Sequence, residues 1–518
     1  MASFNKYSGA FTPLHLAHLL RRTTYGVSLE TVKELRKKSL GQVIDTLFTP
    51  QALPQPPINV SYTTDPDVPI GTTWVDKGNS ANVNNYRRAS LKIWQLELLM
   101  SKQPNITEKL TIFWHNHFVT ADINDPRYSY LYITLLRQNA LGNFKQLTKD
   151  ITIDIAMLYY LNGRENTRTA PNENFARELM ELFTLGKGVE AGPGDYTTFT
   201  ETDVKEIAKA LTGWVDVRAL PLRVEYRANR HTTTDKTLSH RFNNIVIKNE
   251  GEDEYKKVID IIFDREETAL HISRKLYRWF VGSNIDQSIE DEIIIPMAEL
   301  LRKNNYEIAE PLKALLSCEH FYDACNIGNM IKNPVDFILT PLNQFEVTLP
   351  DDLALKERLV GKLFTTSANM QMGLFEAPSV AGWAAYYQTP NYYRLWLNAT
   401  SLPSRKTYTD ALASVGIAQG TFRLKIDAFK WLSSIATPNN PNQLMDELIL
   451  TLFSNPLAVN QYDYIKTILT GGVTDSAWTD IYDGYIADPT SVTKKNLVNT
   501  RITSLIVYMM RMPEYHLS

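Results

Sequence analysis

Apolar residues return every three or four positions along most of this chain. That spacing is typical of helices with one buried face. It predicts helical segments, several of them in the longer stretches, over residues 12–22, 28–47, 86–100, 105–118, 128–161, 171–186, 200–214, 252–321, 330–347 and 351–372. Further helices are predicted from about residue 400 to the end, apart from a break at 471–480. The pattern therefore indicates an all-α protein, mainly a helical array.

Three stretches lack this helical spacing. Residues 49–85 are rich in Pro, Asn, Thr and Gly and predict a long surface loop, which is either a lid or disordered. Residues 215–250 alternate apolar and polar positions and predict a small β-hairpin or structured loop. A loop rich in Pro, Gly and Tyr spans 376–396. We predict a single large helical domain over residues 1–518, with the hairpin as an insertion and a C-terminal helical part from about residue 400.

The helix predicted over 171–186 is the most distinctive. A Pro and an Asn open it, and a Gly stands where it ends. Asn174, Glu178 and Glu181 form one polar line, and Glu178 lies only about 40° from the apolar stripe. Because an unpaired buried carboxylate is costly, Glu178 is predicted either to pair with a cation or to take part in chemistry. The local cation is Arg177, although adjacent side chains on a helix point apart.

His117 lies on the apolar face of the helix predicted over 105–118. It is either a core histidine hydrogen-bonded to a carboxylate or carbonyl, or a metal ligand or acid–base group. His115 cannot share an ion with it unaided, because residues two apart on a helix point to different faces. Glu178 and Glu181 are candidates for half of a carboxylate metal site, and the alternative is a salt-bridge hub between helices.

Two further segments are candidates for ligand contacts. His231, Asp235 and Lys236 lie among threonines in the non-helical region, where residues 216–248 hold seven Arg/Lys against three Asp/Glu, a local net charge of +4. A basic, hydroxyl-rich loop suits a phosphate, sulfate or carboxylate, and the alternative is a solvated basic loop. Trp383 follows a run of small residues, which indicates either close packing or a wall for a planar or sugar ligand.

Composition narrows the class of protein. The 518 residues are 44% hydrophobic and 21% charged, with a net charge of −3 and a pI near 6.3. These values are typical of a soluble globular protein and give no support to a nucleic-acid or anionic-membrane binder. No apolar run approaches the roughly 20 residues that span a bilayer. No signal peptide is visible, which predicts a cytoplasmic protein unless a signal was removed. Cys318 and Cys325 are either bridged, if the chain is exported, or two buried thiols.

Several segments, taken in order, resemble one bacterial family, the domain-of-unknown-function 1800 family. The matching segments are His18-Leu-Leu-Arg-Arg22, Phe113-Trp-His-Asn-His-Phe118, Asn172 to Gly186, Ala210-Leu-Thr-Gly-Trp214, Pro378-Ser-Val-Ala-Gly-Trp383 and Met512-Pro-Glu-Tyr-His516. The resemblance covers essentially the whole chain and implies no settled activity. It implies an exported, periplasmic protein and a sulfatase-like partner protein. The three threonines after His231 depart from the His-Asp pattern usual in the family.

The leading hypothesis is an enzyme, a metal-assisted hydrolase or transferase acting on an anionic, carbohydrate or peptide substrate. The expected catalytic residues are His117, Glu178, His231 and Asp235. The expected substrate-binding residues are Arg177, Lys236, Asn174 and Trp383. A divalent metal is expected on Glu178, Glu181 and His117. The alternative is a non-catalytic helical scaffold, or a carbohydrate- or peptide-binding protein, in which the same polar residues are structural.

Overall fold

The computed structural model describes residues 3–518 and is mainly helical, which confirms the predicted fold class. The first helices are α1 (Pro13–Thr23), α2 (Leu29–Leu35), α3 (Leu40–Leu47), α4 (Asn84–Leu99), α5 (Thr107–His117), α6 (Pro126–Gln138), α7 (Phe144–Thr152), α8 (Ile155–Tyr160), α9 (Glu173–Glu178), α10 (Glu201–Ala210), α11 (Glu254–Asp264) and α12 (Glu266–Phe280). The later helices are α13 (Gln287–Ile289), α14 (Ile295–Lys303), α15 (Ala309–Ser317), α16 (Pro334–Gln344), α17 (Leu353–Asn369), α18 (Ser401–Ala413), α19 (Ala428–Ser433), α20 (Pro441–Leu452), α21 (Val459–Thr470), α22 (Asp475–Ala487) and α23 (Val492–Arg511). Two π-helical segments, Leu179–Thr184 and Glu290–Ile294, continue α9 and α13.

Short antiparallel strand pairs complete the secondary structure. The strands are β1 (Glu190–Gly192), β2 (Asp195–Tyr196), β3 (Trp214–Val217), β4 (Arg223–Tyr226), β5 (Lys236–Thr237), β6 (Val246–Ile247), β7 (Ile417–Gln419) and β8 (Phe422–Leu424). Each odd-numbered strand pairs with the next strand along the chain. The β3–β4 hairpin and the β5–β6 pair lie in the predicted insertion near 215–250, which confirms it. The β1–β2 and β7–β8 pairs were not predicted, because each strand has only two or three residues.

Helix ends differ from the prediction in two places. The helix predicted over 28–47 is wrong, because two helices, α2 and α3, occupy this stretch. Ser39 starts the second one: its hydroxyl accepts from the backbone N–H of Gln42, and the Gln42 side chain accepts from the backbone N–H of Ser39. The predicted break at 471–480 is too long, because α22 already begins at Asp475.

The two ends of the described chain meet at the start of α16. The last turn of α1 packs against α20, and the Arg21 Nη2 atom lies 2.5 Å from the carbonyl oxygen of Leu450. After α23, the backbone N–H of Lys332 donates to the carbonyl of His516 at 2.8 Å. Residues more than 400 positions apart along the chain therefore line one region of the interior.

Residues 49–83 contain no helix or strand in the structure, yet side chains fix them to the helices. Trp74 is fully buried, and Asp65 forms a buried salt bridge of 2.8 Å with Arg87 of α4. Cys318 is buried and Cys325 is exposed, and both are free thiols, so neither expected arrangement of the pair holds. Within residues 3–518, no helix combines the length and the apolarity needed to cross a bilayer.

Buried histidines predict a loss of stability in mild acid. Burial lowers the pKa of His115 to about 4 and that of His271 to about 3, against an ordinary value of 6.5. Below pH 6.5 these two imidazoles bind protons in the unfolded chain but stay neutral in the folded protein. The free energy of unfolding therefore falls as the pH falls from 6.5 toward 4. Each such group contributes about 1.4 kcal/mol per pH unit in this window.

The measurement is the free energy of urea unfolding between pH 7 and pH 4.5. His115→Gln is expected to reduce the slope with pH by about 1 kcal/mol per unit. A flat profile in the wild-type protein contradicts the prediction.

Candidate anion-binding site

His117 contacts the backbone of the π-helical segment Leu179–Thr184, which follows α9, rather than a carboxylate side chain. Its Nε2 atom lies 3.0 Å from the Phe183 carbonyl oxygen, so Nε2–H donates. Its Nδ1 atom accepts from Lys275 Nζ at 3.1 Å, and that amine also donates to the Leu182 carbonyl at 2.9 Å. Burial, with the positive charge of Lys275, holds the pKa of His117 well below its ordinary value. His117 thus makes the carbonyl contact of the core-histidine alternative.

The carboxylates of the same helix lie apart from His117. The side chain of Glu178 is half-buried and forms neither a hydrogen bond nor a salt bridge with residues 3–518. Burial, together with the nearby charge of Glu181, raises the pKa of this carboxyl group. Glu181 lies 3.9 Å from Lys187. Arg177 pairs with Glu201 through two bonds of 2.6 and 2.7 Å. No group of three or more His, Cys, Asp or Glu side chains in the described part of the chain is arranged to hold a metal.

The predicted basic loop instead contains a closed ion cluster, here called the buried triad: His231, Lys236 and Glu254. The His231 Nε2 atom lies 3.0 Å from Glu254 Oε2, and Lys236 forms a salt bridge with Glu254 Oε1. All three side chains are at most 1% exposed. Asp235 lies outside, half-exposed, in a salt bridge with Lys248. Glu254 was not predicted as a site residue, because it lies eighteen residues beyond Lys236, at the start of α11.

The two remaining predicted residues occupy other places. Asn174 is exposed on the first turn of α9. Trp383 is buried, and its backbone N–H donates to Asn116 Oδ1 at 2.9 Å. The predicted site residues therefore form separate sets of contacts, and the structure does not bring His117, Glu178 and the buried triad into one cluster.

A different set of cations shares one buried region. These five residues, here called the basic cluster, are Arg21 and Arg22 at the end of α1, Lys109 on α5, Lys332 before α16 and Arg405 on α18. Each is at most 8% exposed. They come together because the two ends of the chain meet at α16, and backbone carbonyl groups from the end of α20 and from the segment before α16 accept from the three arginines.

Each arginine of the basic cluster is held by only one of its terminal nitrogens. Arg22 Nη2 donates to the Asn326 carbonyl at 3.1 Å and to Asn329 Oδ1 at 2.6 Å. Arg405 Nη2 donates to the Lys332 carbonyl at 2.7 Å. The Nε and Nη1 atoms of Arg21, Arg22 and Arg405 are buried and have no hydrogen-bond partner among the described residues. Six buried guanidinium nitrogens are therefore left without an acceptor.

The charge of the basic cluster is also largely uncompensated. Asp336 forms a salt bridge with Lys109, and its second oxygen accepts from Asn333 Nδ2 at 2.7 Å. Within residues 3–518, no side-chain carboxylate lies within 4.0 Å of the other four cations, so five cationic side chains share one carboxylate side chain, Asp336. Burial lowers the pKa of Arg22 to about 9, and the charge of Asp336 offsets part of this shift. The guanidinium groups stay charged at neutral pH, in a low-dielectric setting.

A small cavity, here called the basic chamber, opens among these side chains. Its polar wall is formed by Arg21, Arg22, Lys109, Asn333, Asp336 and Ser518. Its aromatic wall is formed by Trp279, Tyr386, Tyr393 and Trp396. The volume of about 30 Å³ is enough for one compact ion or two to three waters, since a water needs roughly 10–15 Å³ on the same measure. Lys332 and Arg405 stand behind the wall and add charge.

In the sequence, Arg21 and Arg22 close a predicted helix and belong to the family-like segment His18-Leu-Leu-Arg-Arg22, but neither is predicted to bind a ligand. Two adjacent arginines that follow the apolar run Leu16 to Leu20 were the available signal, because one of the pair had to face the core. Lys109 and Arg405 carried no such signal.

Comparison with known proteins gives a family without an assigned activity. A family model described as "Protein of unknown function (DUF1800)" matches residues 18–517. No curated protein matches the chain, and neither does any solved structure.

The buried triad predicts a large structural effect for one substitution. Glu254→Gln removes the carboxylate that faces both His231 and Lys236, leaving a buried lysine charge unpaired. We expect a loss of about 3–5 kcal/mol in the free energy of urea unfolding. Asp235→Asn breaks the exposed pair with Lys248 and should cost under about 1 kcal/mol. Equal losses in the two variants contradict the assignment.

Proposed function

The chain belongs to the DUF1800 family, and from its buried charges we propose that it binds an oxyanionic ligand group in the basic chamber. The observation that carries the proposal is the set of four buried guanidinium nitrogens without an acceptor on Arg21 and Arg22, the two arginines that line the chamber. A buried donor without an acceptor costs roughly 1–3 kcal/mol, and more when it is charged. An anion in the chamber supplies both the missing acceptors and the missing negative charge.

Size and charge favour a small tetrahedral oxyanion, such as the phosphate or sulfate group of a larger ligand. Arg21, Arg22 and Lys109 face the chamber from two helices, α1 and α5. Four oxygens can accept from several directions at once, whereas the two oxygens of a carboxylate lie in one plane. Charge-assisted bonds from arginine to such oxygens are roughly twice as strong as neutral ones.

Catalysis on that ligand is the second part of the proposal. Lys109 and Asp336 are the wall residues suited to proton transfer, and burial lowers the pKa of the Lys109 amine. This keeps the hypothesis of a hydrolase or transferase acting on an anionic substrate and moves its site to the chamber. Non-catalytic binding of the same anion is the alternative, and release of phosphate or sulfate from an ester separates the two. The carbohydrate or peptide substrate, the metal and the sulfatase-like partner stay predictions.

The first test is anion-dependent thermal stability. Low-millimolar phosphate or sulfate should raise the melting temperature saturably over chloride at equal ionic strength, because a ligand at 100 times its Kd adds about 2.7 kcal/mol. Arg22→Gln should abolish this response, measured against its own baseline. Arg87→Gln is the matched control, since Arg87 is equally buried but paired with Asp65. An identical response in wild type and Arg22→Gln contradicts the proposal.

The second test is a substitution that is expected to tighten anion binding. Asp336→Asn removes the negative charge that competes with a bound anion for Lys109. The Kd for inorganic phosphate, measured by calorimetry, should fall at least threefold, even though the variant loses a salt bridge. If the basic cluster serves only to hold helices together, the substitution lowers stability without tightening anion binding.

A further inference from the structure

A second cavity, here called the polar pocket, lies near the basic chamber without joining it. It is lined by residues after α1, at the ends of α4 and α6, at the start of α5 and in the loops that follow α3 and α4. The Tyr25 ring lines it and carries the Lys109 amine of the chamber 4.3 Å from its centre. Among the described residues, none lines both cavities. The pocket is therefore a separate site.

The polar pocket has an exposed rim and a buried floor. The loop residues Gln51, Ser101 and Gln103 are exposed, whereas Leu99 and Glu108 are buried. A ligand can therefore enter from solvent past the loops. The volume of about 110 Å³ is somewhat smaller than the roughly 150 Å³ of an engineered cavity that holds benzene. The pocket thus has room for a molecule, or the end of one, of about six non-hydrogen atoms.

Two charged side chains that line the pocket, Glu108 and Arg137, form an incomplete ion pair. Both side chains are at most 11% exposed. Arg137 Nε donates to Glu108 Oε1 at 2.7 Å, and Arg137 Nη1 donates to the carbonyl of Ala52 at 2.7 Å. Within residues 3–518, Glu108 Oε2 is buried without a hydrogen-bond partner, and Arg137 Nη2 makes no hydrogen bond either. One donor and one acceptor of the pair are therefore free.

Other arginine–carboxylate pairs of the chain form both bonds. Arg87 holds Asp65 through Nε and Nη2, at 2.9 and 3.1 Å. Arg511 holds Asp410 through the same two nitrogens, both at 2.7 Å. This two-bond arrangement is common because the planar guanidinium matches a carboxylate and adds a second charge-assisted bond. In the pocket the second bond is missing, so its donor and acceptor are left for a third group.

A hydroxyl is the group that completes this pair. It accepts from a guanidinium nitrogen and donates to a carboxylate oxygen at once, whereas an ammonium only donates and a carboxylate only accepts. The charges of the pair already cancel, so a neutral ligand leaves no buried charge without a partner. Nearby, Ser101 and Gln103 offer hydroxyl and amide groups, and Leu98 and Leu99 offer apolar contacts to carbon atoms.

We propose that the polar pocket binds a neutral compound with neighbouring hydroxyl groups, one of which bridges Arg137 Nη2 and Glu108 Oε2. The next hydroxyl meets the amide and hydroxyl side chains of the rim. A small polyol and the hydroxyl-bearing end of a sugar share this chemistry, and the pocket admits only a few carbons of either. Because the pocket and the basic chamber have separate linings, this inference goes beyond the proposed anion site and does not depend on it.

Calorimetry with glycerol, glucose and 1,3-propanediol tests the inference. The Kd is measured rather than the melting temperature, because polyols stabilise folded proteins in general by their exclusion from the surface. Glycerol or glucose should bind saturably, and the tighter of the two identifies the source of the hydroxyl groups. The diol, which lacks neighbouring hydroxyls, should bind at least tenfold more weakly. Arg22→Gln, in the basic chamber, should leave these Kd values unchanged.

One substitution tests the incomplete ion pair. Glu108→Gln removes the charged acceptor, so the Kd of the bound hydroxyl compound should rise at least tenfold. Glu447→Gln is the matched control, because Glu447 already forms both bonds with Arg36, each at 2.9 Å, away from the pocket. This control should keep the wild-type Kd.

A second substitution tests the pocket without touching its buried charges, and it serves if Glu108→Gln fails to fold. Ser101→Phe places a large side chain on the exposed rim and should raise the Kd at least tenfold. Lys102→Phe is the matched control, because Lys102 is the exposed neighbour and does not line the pocket. It should leave the Kd unchanged.

Three results overturn the inference. Neither glycerol nor glucose binds to the wild-type protein, or 1,3-propanediol binds as tightly as the better of the two, or Ser101→Phe keeps the wild-type Kd. A folded Glu108→Gln variant with the wild-type Kd overturns the role of the ion pair in the same way. Failure of the protein to bind phosphate or sulfate overturns the proposed function alone and leaves the polar pocket as it stands.

Discussion

The uncompensated burial of positive charge is the constraint on which the interior of this protein depends. Among residues 3–518, five cations from α1, α5, α18 and the segment before α16 share one region with one carboxylate side chain, Asp336. Buried charges need acceptors, and the surrounding backbone supplies some of them, from the end of α20 and from the segment before α16. The meeting of the two chain ends at α16 is therefore a requirement of this charge cluster as much as of apolar packing.

The fold was largely predictable because its signals are local. Apolar spacing gave the helices, and alternation over 215–250 gave the β3–β4 hairpin. Local signals failed where one side chain changes the path of the chain. In the stretch 28–47 the first helix ends at Leu35 and Ser39 caps a second one, although the apolar spacing continues across the break. The short β7–β8 pair carries too few residues to produce a pattern.

The site was much less predictable, because pairing between distant residues decides which charge is free. Arg177 and Lys236 looked available for a ligand, but each meets a carboxylate, Glu201 or Glu254, outside its own motif. Arg21 looked like an ordinary helix end, yet it meets a carbonyl 429 residues away. The anionic-ligand hypothesis came from a surplus of positive charge in the exposed loop, and a surplus of the same size is buried around α16.

The buried triad and the basic cluster differ in how many of their charges have a partner. This difference indicates a structural role for the triad and a binding role for the cluster. In the buried triad, His231 and Lys236 both contact Glu254. At most one charge of the three side chains therefore lacks a partner. In the basic cluster, four cations lack a side-chain carboxylate among the described residues, and two of them, Arg21 and Arg22, have free nitrogens and line a cavity. Hydrophobic residues of similar volume often stabilise a core as well as a buried ion pair does. Unpaired arginines beside a cavity are therefore poor structural elements, and their arrangement is that of a site which is complete only with an anion bound.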